Sequence, residues 1–102
     1  MKFNQLTPAQ EERLFVLSEE LGEVQQAIGK VLRHGYASSR PDGGPNNKEL
    51  LETELGDVAV AVRMLVAEGD VDQKLISEAA ASKQERIKRF LHHQEDAIQS
   101  DG

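Results

Sequence analysis

Two nine-residue segments of this 102-residue chain share one pattern, and that pattern most limits what the chain can fold into. Residues 20–28 and 54–62 both read acid-Leu-Gly-acid-Val-x-x-Ala-aliphatic, at an offset of 34 residues from Glu20 to Glu54. Within each copy the acids are three residues apart, so they are neighbours on one face of an α-helix. The repeat predicts two helices with matched acidic faces, packed as a pseudo-symmetric antiparallel pair.

Apolar residues around both copies recur at spacings of three and four, as on one side of a helix. They are Leu14, Leu17, Leu21, Val24, Ile28 and Val31 in the first helix, and Leu51, Leu55, Val58, Val62 and Leu65 in the second. Each acid of the repeat directly precedes one of them, so we expect the acids to border the apolar stripe. Glycine between each pair of acids, at Gly22 and Gly56, leaves room for the close approach of another backbone or a ligand.

Helix-start and helix-stop residues bound these elements. Thr7, Pro8 and Gln10 form a capping box with proline at the first position, and Gly35 is suited to end the first helix. Residues 35–47 are rich in Gly, Pro, Ser and Asn and are predicted to form one long loop.

The rest of the chain continues the helical pattern. Asn46 or Asn47 caps the second helix, and Asp70 or Asp72 begins a third helical stretch. No strand pattern competes with these helices. The predicted fold class is therefore all-α, a helical bundle, with residues 1–94 as a single domain and residues 95–102 as a flexible C-terminal tail.

Charge and composition exclude several functions. A net charge of −6 argues against binding a nucleic-acid backbone, which requires a basic face. The chain has no cysteine, which excludes disulfides and thiolate metal sites. No apolar run approaches the roughly 20 residues that span a bilayer, and no signal-peptide pattern is visible. We expect a cytoplasmic protein with neither a membrane nor a nucleic-acid partner.

The four acids of the repeat lack local counter-charges. Glu20, Glu23, Glu54 and Asp57 have no Lys or Arg three or four residues away, and like charges at that spacing repel each other. Carboxylates that converge without a base favour an external cation, and all-oxygen ligation selects a hard ion. We predict a Mg²⁺ site, with Mn²⁺ as a substitute; the alternative is an acidic groove that docks a basic partner.

These acids also carry a family resemblance. Glu19-Glu20-x-x-Glu23 followed by Glu54-x-x-Asp57 resembles the EExxE…ExxD signature of the all-α nucleoside triphosphate pyrophosphohydrolases, in particular the MazG-like family. The resemblance implies Mg²⁺ bound by the four repeat acids and cleavage of a nucleoside triphosphate between its α- and β-phosphates. Glu19 would orient or deprotonate the attacking water, unless it is an ordinary exposed acid.

The resemblance covers about residues 7–91 and has further implications. It implies a homodimer or homotetramer with a four-helix core shared between subunits, and it suggests that Lys83 and Arg86 reach the β- and γ-phosphates. The chain departs from common members at Thr53, where a second acid often stands, and within 79–82, where many carry Asn. Basic residues late in a helix also complement its dipole, which is the alternative role for Lys83 and Arg86.

Two further residues and two rival functions complete the predictions. Tyr36 opens the long loop and could either fold over a bound nucleotide or anchor the loop, whereas Lys30 is expected to complement the end of the first helix. Phosphoribosyl-ATP pyrophosphohydrolase is a rival with the same helical acid pattern. A non-catalytic acidic helical interaction module is a rival from a different class.

Overall fold

The computed structural model describes residues 3–94, and this part of the chain is helical without strands. Helix α1 spans Pro8–His34, α2 spans Asn47–Ala67 and α3 spans Gln73–Ile87, followed by a 3₁₀ turn at Lys88–Phe90. The all-α prediction is confirmed. None of these helices combines the length and the apolar character needed to cross a bilayer. The tail predicted for residues 95–102 lies outside the described residues.

Helix α1 begins and ends at the residues that its sequence predicts. The Thr7 hydroxyl accepts a hydrogen bond from the Gln10 amide at 3.1 Å, and the Gln10 side chain accepts one from the Thr7 amide at 2.8 Å. This reciprocal pair is a capping box. Gly35 follows the helix with φ of 87°, a conformation that favours glycine, and its amide donates to the Val31 carbonyl.

A second capping box begins α2 and decides which asparagine caps it. The Asn46 side chain accepts from the Glu49 amide, and the Glu49 carboxylate accepts from the Asn46 amide, both at 2.9 Å. Asn47 is instead buried, and its Nδ2 donates to the Gly35 carbonyl at 3.0 Å and more weakly to the Lys30 carbonyl at 3.4 Å. The start of α2 is thereby tied to the end of α1.

The loop between α1 and α2 folds back onto the start of α2. The Asn47 amide donates to the Ser38 carbonyl at 2.9 Å, and the Lys48 amide donates to the Tyr36 carbonyl at 3.0 Å. These bonds anchor the loop through its main chain. Tyr36 itself is more than half exposed, at 58%.

An ion pair fixes the opposite end of the α1–α2 hairpin. Arg13 donates from Nε and Nη2 to the two carboxylate oxygens of Asp70, at 2.6 and 3.1 Å, and both side chains are largely covered. Asp72, and not Asp70, caps α3 by accepting from the Lys74 amide. Since contacts join each end of α1 to the opposite end of α2, the two helices form the predicted antiparallel pair.

The face that α1 and α2 share differs in one respect from the predicted stripe. Leu21 and Leu55 are about half exposed, at 49% and 50%, and Leu14 and Ile28 of the predicted stripe are also exposed, whereas Glu20 and Glu54 are partly buried. The contact face is thus rotated toward the acids, because the apolar stripe on each helix is wider than one partner helix covers. The buried apolar residues among 3–94 are Ala27, Ala61 and Leu65.

The described residues fall into two compact units, with the division between Asp70 and Val71. The first unit contains α1, the loop and α2. The second contains α3 and the 3₁₀ turn, and α3 runs unbroken from its Asp72 cap.

Candidate metal centre

The four acids of the sequence repeat converge in the first unit. One carboxylate oxygen from each of Glu20, Glu23, Glu54 and Asp57 lies within 4.8 Å of those from the other three. The first three side chains are partly buried, and Asp57 is exposed. A cluster of this size and composition could hold a metal ion.

The helix spacing and the antiparallel pairing together produce this convergence. Two acids three residues apart share a face of α1, two more share a face of α2, and the hairpin presents the faces to each other. Gly22 and Gly56 lie within the two motifs, and a Cβ at either position would have no neighbouring atom within 4 Å. Close packing within the described chain therefore does not require these glycines, and the space beside them is open.

Two buried oxygens of the cluster have no donor. The Oε2 atoms of Glu20 and Glu54 are inaccessible to solvent and accept no hydrogen bond among the described residues. No Lys, Arg or His within 3–94 forms an ion pair with any of the four carboxylates. A buried carboxylate oxygen without a donor is unfavourable, and a proton or a cation at these atoms would relieve that cost.

Burial, hydrogen bonding and neighbouring charges raise the pKa of two members of the cluster. Burial raises the pKa of Glu20, and the negative charges of Glu23 and Asp57 raise it further. The pKa of Glu54 is raised chiefly because its protonated carboxyl can hydrogen-bond to Glu23, and then by burial and by its acidic neighbours. That hydrogen bond exists only while a proton is shared, so the fully ionised cluster has no internal donor.

The donor set fits a hard divalent cation. All four side chains offer carboxylate oxygens, and these are the protein ligands that Mg²⁺ and Mn²⁺ prefer. A cation would replace the missing donors at Glu20 and Glu54 and would offset the repulsion that raises their pKa values. It would also leave sites for an anionic ligand such as a phosphate, because a protein-bound Mg²⁺ usually keeps part of its coordination shell for water or substrate.

The remaining predicted site residues lie outside the cluster. Glu19 is exposed, and its charge contributes to the raised pKa of Glu20. Lys83 and Arg86 are exposed on α3 in the second unit, where Arg86 Nε donates to the Ser82 hydroxyl at 3.4 Å. The functional roles of these residues and of Tyr36 remain predictions.

A cleft opens directly beside the cluster and contains residues that the sequence reasoning missed. Its volume is about 260 Å³, and its lining consists of Glu23, Gln26, Ala27, Lys30, Asn47, Leu50 and Glu54. The signal for them was present in the spacing. Lys30 follows Glu23 by seven residues and Asn47 precedes Glu54 by seven, so each lies two turns along the same helix face.

Comparison of the chain with protein-family models, with curated proteins and with solved structures finds no match. The likeness to the MazG-like family therefore depends on the motif residues of α1 and α2.

Proposed function

We propose that the protein is a Mg²⁺-dependent nucleoside triphosphate pyrophosphohydrolase of the MazG-like kind, which converts a (deoxy)nucleoside triphosphate to the monophosphate and pyrophosphate. One observation carries the proposal: two buried carboxylate oxygens, at Glu20 and Glu54, lack any donor inside a cluster of four acids. An arrangement that is unfavourable without a cation is best explained by a cation that is needed for function.

The reaction breaks one phosphoric anhydride bond. A water oxygen bonds to the α-phosphorus, the bond from that phosphorus to the α–β bridging oxygen breaks, and pyrophosphate leaves with the bridging oxygen. Mg²⁺ held by Glu20, Glu23, Glu54 and Asp57 would supply charge neutralisation of the triphosphate and a lowered pKa for the attacking water. The role of these carboxylates is to hold the cation in a fixed position next to the cleft.

The other predicted residues keep the roles that the family resemblance implies. Glu19 is exposed next to Glu20, so its carboxylate is available to orient the water or to accept its proton. Lys83 and Arg86 are exposed and cationic, as binding of the β- and γ-phosphates requires. Tyr36, at the start of the loop, is proposed to cover the bound nucleotide.

The proposal includes a homodimer or homotetramer. A hairpin whose buried apolar residues are two alanines and one leucine has a very small core. Large apolar side chains of α1 and α2 remain exposed, among them Leu14, Phe15, Leu21, Ile28, Leu32 and Leu55. A four-helix core formed with a second hairpin would bury them, and exposed apolar surface of this extent is typical of an interface.

The experiment is an assay of pyrophosphate release from a panel of ribo- and deoxyribonucleoside triphosphates, with Mg²⁺ and with EDTA. Glu54→Gln removes one ligand of the cluster, and Glu52→Gln is the matched control, since it removes the same charge from an exposed position of α2. We expect release that requires Mg²⁺, that is lost in the first variant and that is retained in the second.

Two other outcomes would assign a different function. If no nucleoside triphosphate is cleaved but Mg²⁺ still binds, phosphoribosyl-ATP becomes the next substrate to test. If Mg²⁺ does not bind at all, the cluster is an acidic groove for a basic partner and the protein is an interaction module. The enzymatic proposal also implies a cytoplasmic location, where its substrates are found.

A further inference from the structure

The cleft beside the carboxylates has a charge pattern of its own. Glu23 and Glu54, which belong to the carboxylate cluster, line one end of the cleft, and Lys30 is the cation in the lining. We propose that this cleft binds the departing pyrophosphate and that the Lys30 ammonium contacts its terminal phosphate. The identity of the ligand rests on the proposed function, whereas the site itself rests on the geometry of the cleft.

The dimensions of the cleft follow from the helix pair. Lys30 is seven residues beyond Glu23 in α1, and Asn47 is seven residues before Glu54 in the antiparallel α2. Seven residues rise about 10 Å along a helix, so both walls extend by the same length from the carboxylates. A phosphate chain anchored at the carboxylate end and directed along the cleft approaches Lys30, whose long side chain covers part of the remaining distance.

The lining chemistry favours a phosphate over a nucleobase. Besides the two carboxylates it contains one ammonium group, the side-chain amides of Gln26 and Asn47, and only Ala27 and Leu50 as apolar residues. The Lys30 ammonium and the side-chain N–H groups of Gln26 are donors for phosphate oxygens, whereas Asn47 Nδ2 already donates to the carbonyls of Gly35 and Lys30. No aromatic ring lines the cleft, so it offers no platform on which a base would stack.

The Lys30 ammonium is available for a ligand, and the Lys30 backbone is bonded to the start of α2. Among residues 3–94, its ammonium forms no ion pair or hydrogen bond, and its side chain is exposed. Its carbonyl accepts from Nδ2 of Asn47, which is 93% buried and also bonds to the Gly35 carbonyl. Both bonds use Nδ2, so the Asn47 amide ties the backbone of α1 at Lys30 to the start of α2.

This assignment orients the substrate. With the β- and γ-phosphates toward Lys30, the α-phosphate lies at the carboxylates and the nucleoside extends away from the cleft. The cleft then binds only the phosphate chain, and residues outside its lining select the base.

The test measures binding of Mg²⁺-pyrophosphate by titration calorimetry to wild type, Lys30→Met and Lys48→Met. Lys48 is also an exposed lysine in the same hairpin, but it does not line the cleft, so its variant controls for net charge. Loss of one charge-assisted contact predicts at least a tenfold weaker affinity for Lys30→Met. The Lys48→Met affinity should stay within twofold of wild type, and all three proteins should bind Mg²⁺ alone equally well.

Inhibition of turnover gives a second readout that a general structural defect would not reproduce. In Lys30→Met, the inhibition constant for pyrophosphate should rise about tenfold while that for the nucleoside monophosphate stays unchanged. Equal affinity of Lys30→Met and wild type for Mg²⁺-pyrophosphate would overturn the assignment, as would an equal loss for both products.

The two proposals fail separately. If Lys30→Met binds pyrophosphate more weakly but wild type hydrolyses no nucleoside triphosphate, the cleft is a pyrophosphate site and the proposed activity is wrong. If wild type hydrolyses a nucleoside triphosphate but Lys30→Met binds pyrophosphate as tightly as wild type, the activity is supported and the assignment of the cleft is wrong. Absence of Mg²⁺-pyrophosphate binding to wild type would overturn the cleft whatever the activity.

Discussion

Glu54→Gln should change stability in opposite directions with and without Mg²⁺. Without the cation, the variant removes one of four like charges and replaces an oxygen that lacks a donor by an amide that can donate to Glu23. We therefore expect a melting temperature in EDTA equal to or above that of wild type. With Mg²⁺, wild type gains stability from binding, and the variant should gain little.

The size of the gain follows from ligand linkage at one cluster per chain. A free Mg²⁺ concentration ten times the Kd stabilises the folded state by about 1.4 kcal/mol. For a domain of this length each kcal/mol corresponds to about 4–8 °C, so wild type should melt about 6–11 °C higher at that concentration. The assay is thermal unfolding followed by circular dichroism across a Mg²⁺ titration, with EDTA as the zero point.

The matched control and the pH dependence make this prediction specific. Glu52→Gln removes a charge from an exposed position of α2 and should keep the full Mg²⁺ response. The pKa values of Glu20 and Glu54 lie above the ordinary 4.5, so protonation favours the folded protein. The stability that protonated Glu20 and Glu54 contribute is complete below pH 4.5, and it is lost as the pH rises through their raised pKa values. In EDTA the melting temperature should therefore fall toward neutral pH, less steeply in Glu54→Gln.

Identical Mg²⁺ responses of wild type and Glu54→Gln would refute the reasoning. So would a lower melting temperature of Glu54→Gln in EDTA, since it would mean that the carboxylate is stabilised by the protein itself.

Three further predictions concern the frame that holds the cluster. Asp70→Asn should lower the melting temperature at pH 7, because it removes the ion pair with Arg13. The hydrogen bond from Arg13 holds the pKa of Asp70 below its ordinary 3.8. The difference in melting temperature between the variant and wild type should therefore shrink as the pH falls below 3.8. Asn46→Ala removes the α2 cap and should cost about 1 kcal/mol in the free energy of urea unfolding. Leu21→Lys should reduce self-association in light-scattering measurements, whereas Leu75→Lys, on α3 in the second unit, should not, and equal effects would count against a core shared through α1 and α2.

Most of the fold could be predicted from local signals in the sequence. Capping boxes and a terminal glycine depend on a few adjacent residues, so Thr7, Gln10 and Gly35 were identified correctly. Two choices of capping residue remained open because two residues of the same type lie within two positions of each other. Asn46 caps α2 while Asn47 is buried against Gly35, and Asp72 caps α3 while Asp70 pairs with Arg13; only tertiary contacts separate these roles.

The candidate site was predictable in its ligands and not in its surroundings. Two acid pairs at helical spacing on antiparallel helices must converge if the shared face includes them, and the repeat supplied that information. The rotation that buries Glu20 and exposes Leu21 depends on which part of a wide apolar stripe the partner helix covers. The cleft at Lys30 likewise arises from the pairing of α1 with α2, so neither helix alone predicts it.

The most direct test of the proposed chemistry is hydrolysis of a nucleoside triphosphate in ¹⁸O-labelled water, with the products analysed by mass spectrometry. Attack at the α-phosphorus predicts nucleoside monophosphate carrying one labelled oxygen and unlabelled pyrophosphate. The reaction should require Mg²⁺ and the Glu54 carboxylate. Label in the pyrophosphate, release of nucleoside diphosphate and inorganic phosphate, or turnover that persists in EDTA would contradict the assignment of Glu20, Glu23, Glu54 and Asp57 as a metal centre for cleavage between the α- and β-phosphates.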